Sequence, residues 1–110
     1  MTNLFLTLLE IQFPVTKRYH EPILKNAQAY ANRLAVHVNS LNRAVKEVTG
    51  KPTTTHIAER LVSEAKVLLQ HQNWNVSEIA DSLGFEYPTY FHRFFKKHTG
   101  TTTLAFRHTT

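Results

Sequence analysis

The feature that most constrains how this chain can fold is a phrase that it contains twice. NRAVKEVTG occupies residues 42–50 and HRFFKKHTG occupies residues 92–100, so the two copies lie fifty residues apart. Arg, Lys, Thr and Gly recur in the same order, and an apolar residue precedes the matched Lys in each copy. Two copies are too few for a solenoid, in which stacked repeats bury one another's apolar faces. The chain is therefore expected to contain one small structural unit in duplicate.

The repeat extends upstream with a change of spacing. Three pairs match at a separation of forty-nine residues: Asn26 with Asn75, Ala31 with Ala80, and Leu34 with Leu83. The second copy thus has one extra residue between its two parts. Each copy is predicted to form a helix, a tight turn and a second helix. Ala35 and Gly84 fall in the turns, where a small side chain fits best.

Helix start and stop signals predict a chain that is helical nearly throughout. Asn75 is followed three residues later by Glu78, the pattern of a capping box, and Gly50 and Gly100 are suited to close helices. The predicted helices span residues 3–12, 26–34, 38–49, 55–71, 75–83 and 88–99, with a last short turn from residue 101 and a loop over 15–25. The fold class expected is all-α, with two helix-turn-helix subdomains joined by a long linker helix. The domain division expected is an N-terminal helix and loop (1–25), a first helix-turn-helix (26–52), a linker helix (53–73), and a second helix-turn-helix with a closing turn (74–110).

Composition narrows the classes of function. Thirteen Lys and Arg against eight Asp and Glu give a formal net charge of +5, which makes nucleic acid a natural partner. The absence of cysteine excludes disulfides, thiolate zinc sites and a Cys nucleophile. The seven histidines lack metal-ligand spacing, and no catalytic motif stands out, so no enzyme activity, metal or cofactor is expected. The apolar run LFLTLLEI is too short to span a bilayer, so a cytoplasmic protein without membrane contact is expected.

The second helix of each copy carries a polar stripe opposite an apolar face. The apolar faces are predicted to be Leu41, Ala44, Val45 and Val48 in one copy, and Phe91, Phe94, Phe95 and, less clearly, His98 in the other. The polar stripes are Asn39, Asn42, Arg43 and Lys46, and Thr89, His92, Arg93 and Lys96, both at i, i+3, i+4 and i+7. A solvated helix face also explains either stripe taken alone. Both stripes, however, lack acids and are rich in side chains that hydrogen-bond base edges, which favours a polyanion as the partner.

The second copy also resembles a known family. VSEIADSLGFEYPTYFHRFFKKHTGTTTLAFR, residues 76–107, closely resembles the second helix-turn-helix and closing signature of AraC/XylS-type bacterial transcription regulators. AKVLL at 65–69 is similar to part of the family's linker helix, and YANRLAVHVNSLNRAVKEVTG resembles its first helix-turn-helix, so the resemblance covers about 26–107. There are three departures: Thr103 stands where the family usually has Pro, Val45 where it usually has Phe, and Pro52 one place before the usual Pro.

The resemblance implies sequence-specific binding of double-stranded DNA for transcription regulation, with both recognition helices in successive major grooves. Such segments lie about 34 Å apart, and a linker helix of about 25 Å is a workable spacer. The DNA-binding residues expected are Asn39, Ser40, Asn42, Arg43, Lys46, Pro88, Thr89, His92, Arg93 and Lys96. Of these, Lys46 and Lys96 are assigned to phosphates, with Ser77 and the backbone amides near Asn26 and Asn75 as further phosphate contacts.

The partners expected are an operator or promoter duplex and, beyond it, RNA polymerase. The chain is expected to be a DNA-binding domain cut from a longer regulator, with a stand-alone small regulator left open. It should bind as a monomer, while a full-length regulator would dimerise through a further domain. The alternative hypothesis is a basic helical protein-interaction module that does not read DNA sequence.

Overall fold

The computed structural model describes residues 1–17 and 20–109, and this part of the chain forms seven helices and no strands. The helices are α1 (Thr2–Ile11), α2 (Ala27–Arg33), α3 (Val38–Thr49), α4 (Thr53–His71), α5 (Val76–Ser82), α6 (Pro88–Thr99) and α7 (Thr103–Arg107). The all-α prediction is confirmed, and α3 and α6 have the predicted bounds. The predicted loop over 15–25 includes residues 18 and 19, which lie outside the described residues. The four-segment domain division stays a prediction.

The structure moves the predicted start of the linker helix and defines the predicted closing turn. Helix α4 begins at Thr53, two residues before the predicted start, because the Pro52 carbonyl accepts hydrogen bonds from the Thr55 and His56 amides at 3.1 and 3.4 Å. The first turn of α4 therefore starts directly after the proline. The predicted closing turn is α7, whose cap residue Thr102 accepts a hydrogen bond from the Ala105 amide.

The chain divides into two compact units, each containing one helix-turn-helix. The first comprises Met1–Phe13 and Leu24–Arg60, and the second comprises Pro14–Ile23 and the described residues from Leu61 onward. Helix α4 contributes to both, since the division falls between Arg60 and Leu61.

In the first unit, α1 is part of the same core as α2 and α3. The Phe5 ring meets the Tyr30 ring edge to face with centroids 5.1 Å apart, and Leu41 and Val45 of α3 are fully buried. The Gln12 amide donates to the Tyr30 hydroxyl at 2.8 Å, while its oxygen accepts from the Leu24 amide at 2.8 Å. Burial raises the pKa of the Tyr30 phenol, a shift that the hydrogen bond from Gln12 opposes. Residues 1–13 thus pack in the same compact unit as the first helix-turn-helix.

In the second unit, aromatic rings supply most of the core around α6. The Phe85 ring lies 5.3 Å from both the Phe91 and the Phe94 rings, and Phe95 meets Phe106 of α7 edge to face at 5.5 Å. The guanidinium of Arg107 donates to two carbonyls at the end of α4, those of Leu69 at 2.8 Å and Gln72 at 3.2 Å. Helix α7 is therefore held both by ring packing and by charged hydrogen bonds.

The turn between the two helices of each unit has the same backbone hydrogen bonds. The Val36 amide donates to the Ala31 carbonyl and the Ala35 amide to the Asn32 carbonyl; in the second unit Phe85 donates to Ala80 and Gly84 to Asp81 in the same way. This pair of bonds is the Schellman motif, which places the residue after the helix cap in the left-handed conformation. Ala35 has a φ of 57° and Gly84 a φ of 88°. The extra residue of the second turn lies after the Schellman motif. His37 alone separates Val36 from α3, whereas both Glu86 and Tyr87 separate Phe85 from α6.

We expect Ala35→Gly to stabilise the protein by about 0.5–1 kcal/mol. An L-residue in the left-handed region costs about 1–2 kcal/mol, and removing that cost outweighs the extra chain entropy of an unfolded glycine. Ala35 is exposed, so no packing is lost. Urea unfolding followed by circular dichroism measures the change. The matched control is Gly84→Ala, which should destabilise, and equal stability of Ala35→Gly and wild type would contradict the strain argument.

Candidate nucleic-acid interface

From their second residue onward, helices α3 and α6 have the same pattern of burial. Over 41–50 and 91–100 the classes agree residue by residue: the first and fifth positions are buried, the fourth and ninth are intermediate, and the rest are exposed. The buried pairs are Leu41 with Phe91 and Val45 with Phe95. The fifty-residue register of the sequence is therefore also the register of the tertiary structure.

Two residues of the predicted apolar faces are wrongly assigned, Val48 and the less clearly assigned His98. Val48 is 70% exposed, as its counterpart His98 is also exposed. In the last turn the inward position belongs to Thr49, whose hydroxyl donates to the Val45 carbonyl at 2.8 Å and lies 2.8 Å from Nε2 of His56. Thr49 satisfies polar groups at the helix end, and Val48, one residue earlier, is left facing solvent.

The C-terminal ends of α3 and α6 are also built alike. Gly50 and Gly100 adopt φ angles of 79° and 78°, and their amides donate to the Lys46 and Lys96 carbonyls at 2.9 and 2.8 Å. The Thr99 hydroxyl donates to the Phe95 carbonyl at 2.7 Å, as Thr49 does to Val45. The matched Thr and Gly of the repeated phrase are thus helix-ending residues and not part of a binding surface.

The ten residues predicted to bind DNA are all exposed, five on each helix. Helix α3 carries Asn39, Ser40, Asn42, Arg43 and Lys46, and α6 carries Pro88, Thr89, His92, Arg93 and Lys96. Within each helix the polar stripe lies opposite the buried pair that anchors the helix to its unit.

The cationic groups of the stripes are free of carboxylate partners. In residues 1–17 and 20–109, none of Arg43, Arg93 or Lys96 makes an ion pair. Two ion pairs, from Lys51 to Glu59 and from Arg60 to Glu10, lie on other surfaces. The Lys46 ammonium donates to the Gly50 carbonyl at 3.0 Å, where a positive charge also suits the end of the helix dipole.

His92 differs from the other stripe residues because one edge of its ring is already engaged. Its Nδ1 lies 2.8 Å from the hydroxyl of Thr103, the first residue of α7. A cavity of about 420 Å³ opens beside this contact and is lined by His92, Arg93, Lys96, Thr102, Thr103 and Leu104. The sequence placed His92 on the stripe but did not reveal this bond, because its partner is eleven residues away on another helix.

An exposed aromatic pair at the start of α6 was also missed. Tyr87 caps the helix, Tyr90 follows three residues later, and their rings meet edge to face with centroids 5.4 Å apart. The available signal was two tyrosines at i and i+3 around Pro88 and Thr89, which places them on one side of the first turn.

The N-termini of α2 and α5 are each capped by an asparagine side chain. The Asn26 side chain accepts from the Ala29 amide, and in α5 Asn75 and Glu78 each accept from the other's amide. The capping box is therefore confirmed. The phosphate contacts predicted for these two helix ends stay a prediction.

The described residues contain no group of three or more His, Cys, Asp or Glu side chains that could hold a metal ion. No helix in the part of the chain that the structure describes is long and apolar enough to cross a membrane.

Two helix-turn-helix units with exposed, acid-free basic stripes define a nucleic-acid-binding domain. A family model described as a helix-turn-helix domain matches residues 30–109, and the chain belongs to that family. The resemblance to AraC/XylS-type transcription regulators is thereby confirmed. Sequence-specific DNA binding for transcription regulation is the function of this class, which is not one of enzymes.

Individual relatives agree with this family in sequence and in fold. The chain is 31% identical over 74 residues to the uncharacterized HTH-type transcriptional regulator YisR of Bacillus subtilis, an alignment covering 67% of this chain and 26% of the relative. It spans about a quarter of the length of the curated relatives it matches. The fold is similar to that of the C-terminal domain of the two-component response regulator yesN from Fusobacterium nucleatum, with a TM-score of 0.76 and 24% identity over 96% of this chain and 95% of that one. It is also similar to the DNA-binding domain of the transcriptional factor AdpA in complex with a target DNA, with a TM-score of 0.71 and 20% identity over 96% and 86% of the two chains.

Proposed function

We propose that this chain reads an operator or promoter duplex with both recognition helices, α3 and α6 entering successive major grooves. The observation that carries the proposal is the equal burial of residues 39–50 and 89–100, which exposes both polar stripes in the same register. A fold that needed only one reading helix would not require the second stripe to stay free of acids. The similarity in fold to the DNA-binding domain of AdpA, which was crystallised with a target DNA, supports a DNA duplex as the ligand.

Base readout is proposed for the hydrogen-bonding residues of the stripes. Arg43 and Arg93 have a planar fork that matches guanine O6 and N7, and Asn39 and Asn42 have amides that match adenine N6 and N7. Thr89 and His92 are proposed as polar base contacts in the second unit, and Pro88 as an apolar one. Ser40 is proposed as a further polar contact at the start of α3. Each of these side chains is exposed, so DNA meets them without local unfolding.

Phosphate contacts are proposed for Lys46 and Lys96, one turn further along each helix. An ammonium is a compact charge without a planar fork, so it holds the DNA backbone without selecting a base. Lys96 is the cleaner of the two for a test, because the Lys46 ammonium also bonds the Gly50 carbonyl at the end of its own helix. The Tyr87 and Tyr90 hydroxyls are further candidates for the backbone flanking α6.

Further partners follow from a role in transcription. RNA polymerase is proposed as a protein partner, and the cytoplasm as the place of action. The alternative function, a basic module that binds an acidic protein, would place no constraint on which bases a duplex carries. Dimerisation of a longer regulator would use a domain other than the two units described above.

The first expected outcome concerns the footprint. A duplex selected from random sequences should be protected on one face over two major-groove segments about one helical turn, or 34 Å, apart. Hydroxyl-radical footprinting at near-physiological salt provides the measurement. Protection of one segment alone would mean that one of the two units is only structural, and selection without any enriched motif would favour the protein-interaction alternative.

The chain should bind its site as a monomer. A chain with two recognition helices can make by itself the two groove contacts that other helix-turn-helix proteins make as dimers. Native mass spectrometry of the complex with a minimal duplex should give one chain for each duplex. Two chains on one minimal site would contradict this expectation.

Substitutions should separate base reading from backbone contact. We expect Arg43→Ala to cost about 1–3 kcal/mol on the preferred site and much less on unrelated DNA. Lys96→Ala should weaken both by similar factors and flatten the log–log salt dependence by nearly one unit. Titrations on the two duplexes at several salt concentrations give both quantities.

The control for these titrations is Lys66→Ala, which removes the same charge from an exposed position on α4, and it should change the salt slope least. Circular dichroism must show each variant folded, because Leu41 and Phe95 anchor the opposite faces of the same helices. Equal losses of specific and nonspecific binding in Arg43→Ala would assign Arg43 to the backbone and leave base readout in α3 to Asn39 and Asn42.

A further inference from the structure

The contact between His92 and Thr103 joins an exposed recognition residue to a buried one. His92 lies on the polar stripe of α6, while Thr103 is the first residue of α7 and only 1% exposed. Nδ1 of the ring lies 2.8 Å from the hydroxyl oxygen, within the ordinary hydrogen-bonding range. The contact leaves Nε2 as the only ring nitrogen that remains for DNA.

The burial of Thr103 decides which group donates in this bond. A hydroxyl carries one hydrogen and two lone pairs, and a buried donor without an acceptor carries the full cost of its lost hydration. Among the residues that the structure describes, the Thr103 hydroxyl has no partner other than His92. If the ring donated, the hydroxyl hydrogen would point into the protein with nothing to accept it. The favoured arrangement therefore has the hydroxyl donating and Nδ1 accepting.

The direction of the bond determines the chemistry of the exposed edge. A neutral imidazole has one protonated and one unprotonated nitrogen, and a hydrogen bond at one nitrogen selects the state of the other. With Nδ1 accepting, the hydrogen of the neutral ring resides on Nε2. His92 then presents a hydrogen-bond donor at the outer surface of α6.

The first unit contains the same threonine without the bond. Thr53 lies fifty residues before Thr103, opens α4, and is also 1% exposed. In the described part of the chain its hydroxyl has no hydrogen-bond partner. The residue at the His92 position is Asn42. The pairing is therefore a property of the second unit and its imidazole, and does not follow from the repeated backbone alone.

We propose that Thr103 is a positioning residue for specificity: it holds His92 as an Nε2–H donor, so that α6 selects a base with a major-groove acceptor. This inference rests on the proposed function of the same helix. Guanine offers N7 and O6, adenine offers N7 and thymine offers O4, whereas cytosine presents an amino donor at its major-groove edge. Cytosine is thus disfavoured opposite His92. The proline usual at this position in AraC/XylS-type regulators has no hydroxyl and cannot set the ring in this way.

The hydrogen bond can be tested in the free protein, without DNA. Long-range ¹H–¹⁵N spectra of histidine-labelled protein at a pH of about 8, where ordinary histidines are neutral, distinguish a protonated ring nitrogen from an unprotonated one. We expect His92 in the wild type to show Nε2 protonated and Nδ1 as a hydrogen-bonded acceptor. Thr103→Val should shift the Nδ1 signal toward that of an unbonded ring, and Thr103→Ser should restore it.

The role in specificity is tested by selecting duplexes from random sequences with each variant. Thr103→Val should lower the preference at a single base pair by about fivefold to tenfold, the worth of one hydrogen bond, and leave binding to unrelated DNA unchanged. Thr103→Ser should recover the preference. Thr53→Val is the matched control, since it removes a hydroxyl that has no partner among the described residues, and it should leave the whole motif intact.

Three results would overturn the proposal. The first is a wild-type His92 with Nδ1 protonated, and the second is a Thr103→Val protein that keeps the full preference at every position. The third is a loss in Thr103→Val that is equal on specific and unrelated DNA, which would show that Thr103 only supports the folding of α7. If the wild type selects no motif at all, the proposed function fails, and the role in specificity fails with it. The spectra of the free protein would show separately whether the hydrogen bond exists.

Discussion

The position of each recognition helix depends on a single left-handed residue in the turn before it. The Schellman bonds from Val36 to Ala31 and from Phe85 to Ala80 close the first helix of each unit and reverse the chain direction over a few residues. That closure requires a positive φ at Ala35 and Gly84. Glycine adopts this conformation without steric cost, whereas alanine does not. The first unit therefore contains local strain that the second avoids, although both turns have the same hydrogen bonds.

Once the turn is set, burial decides which face of the recognition helix meets solvent. Leu41 and Val45, and likewise Phe91 and Phe95, enter the core one turn apart, so the residues on the other side of each helix are exposed together. The stripes are thus a geometric consequence of the two anchors. The two cores reach this result with different side chains, because the second unit packs aromatic rings where the first has aliphatic residues. The Val45 departure from the family's usual Phe is accommodated in the first unit, whose large aromatic contact is made by Phe5 and Tyr30.

The two units have matching backbones but differ in the hydrogen bonds of their buried polar side chains. Thr53 and Thr103 occupy matched, buried positions at the first residue of a helix. The hydroxyl of Thr103 lies within hydrogen-bonding distance of the His92 ring, whereas the hydroxyl of Thr53 has no partner among the described residues. The difference arises at one exposed position, Asn42 or His92, across the turn from the threonine. Two copies of one structural unit can in this way keep the same backbone while their exposed helix faces differ in chemistry. Buried polar groups are sensitive to such changes, because each needs a specific partner in place of water.

Much of this architecture follows from local patterns in the sequence. The bounds of α3 and α6, the capping box of α5 and the glycine-closed helix ends depend on neighbouring residues, so they could be predicted from spacing alone. The fifty-residue repeat likewise identified eight of the ten exposed candidates for DNA binding, since helical periodicity converts residue order directly into faces. Ser40 and Pro88 were added with the family resemblance. The start of α4 was placed two residues late, because the Pro52 carbonyl serves as the first acceptor of the helix.

Other features were decided only by tertiary structure, because they depend on contacts between distant residues. Helix α1 joins the first core through Phe5 and through Gln12, which bonds both Tyr30 and Leu24, and no local signal indicates those partners. Thr49 takes the inward place that periodicity assigned to Val48, since His56 of the next helix approaches it. The bond from Thr103 to His92 belongs to the same class. Local spacing determines which residues share a helix face, but packing between helices determines which of those residues find a partner and which stay open to DNA.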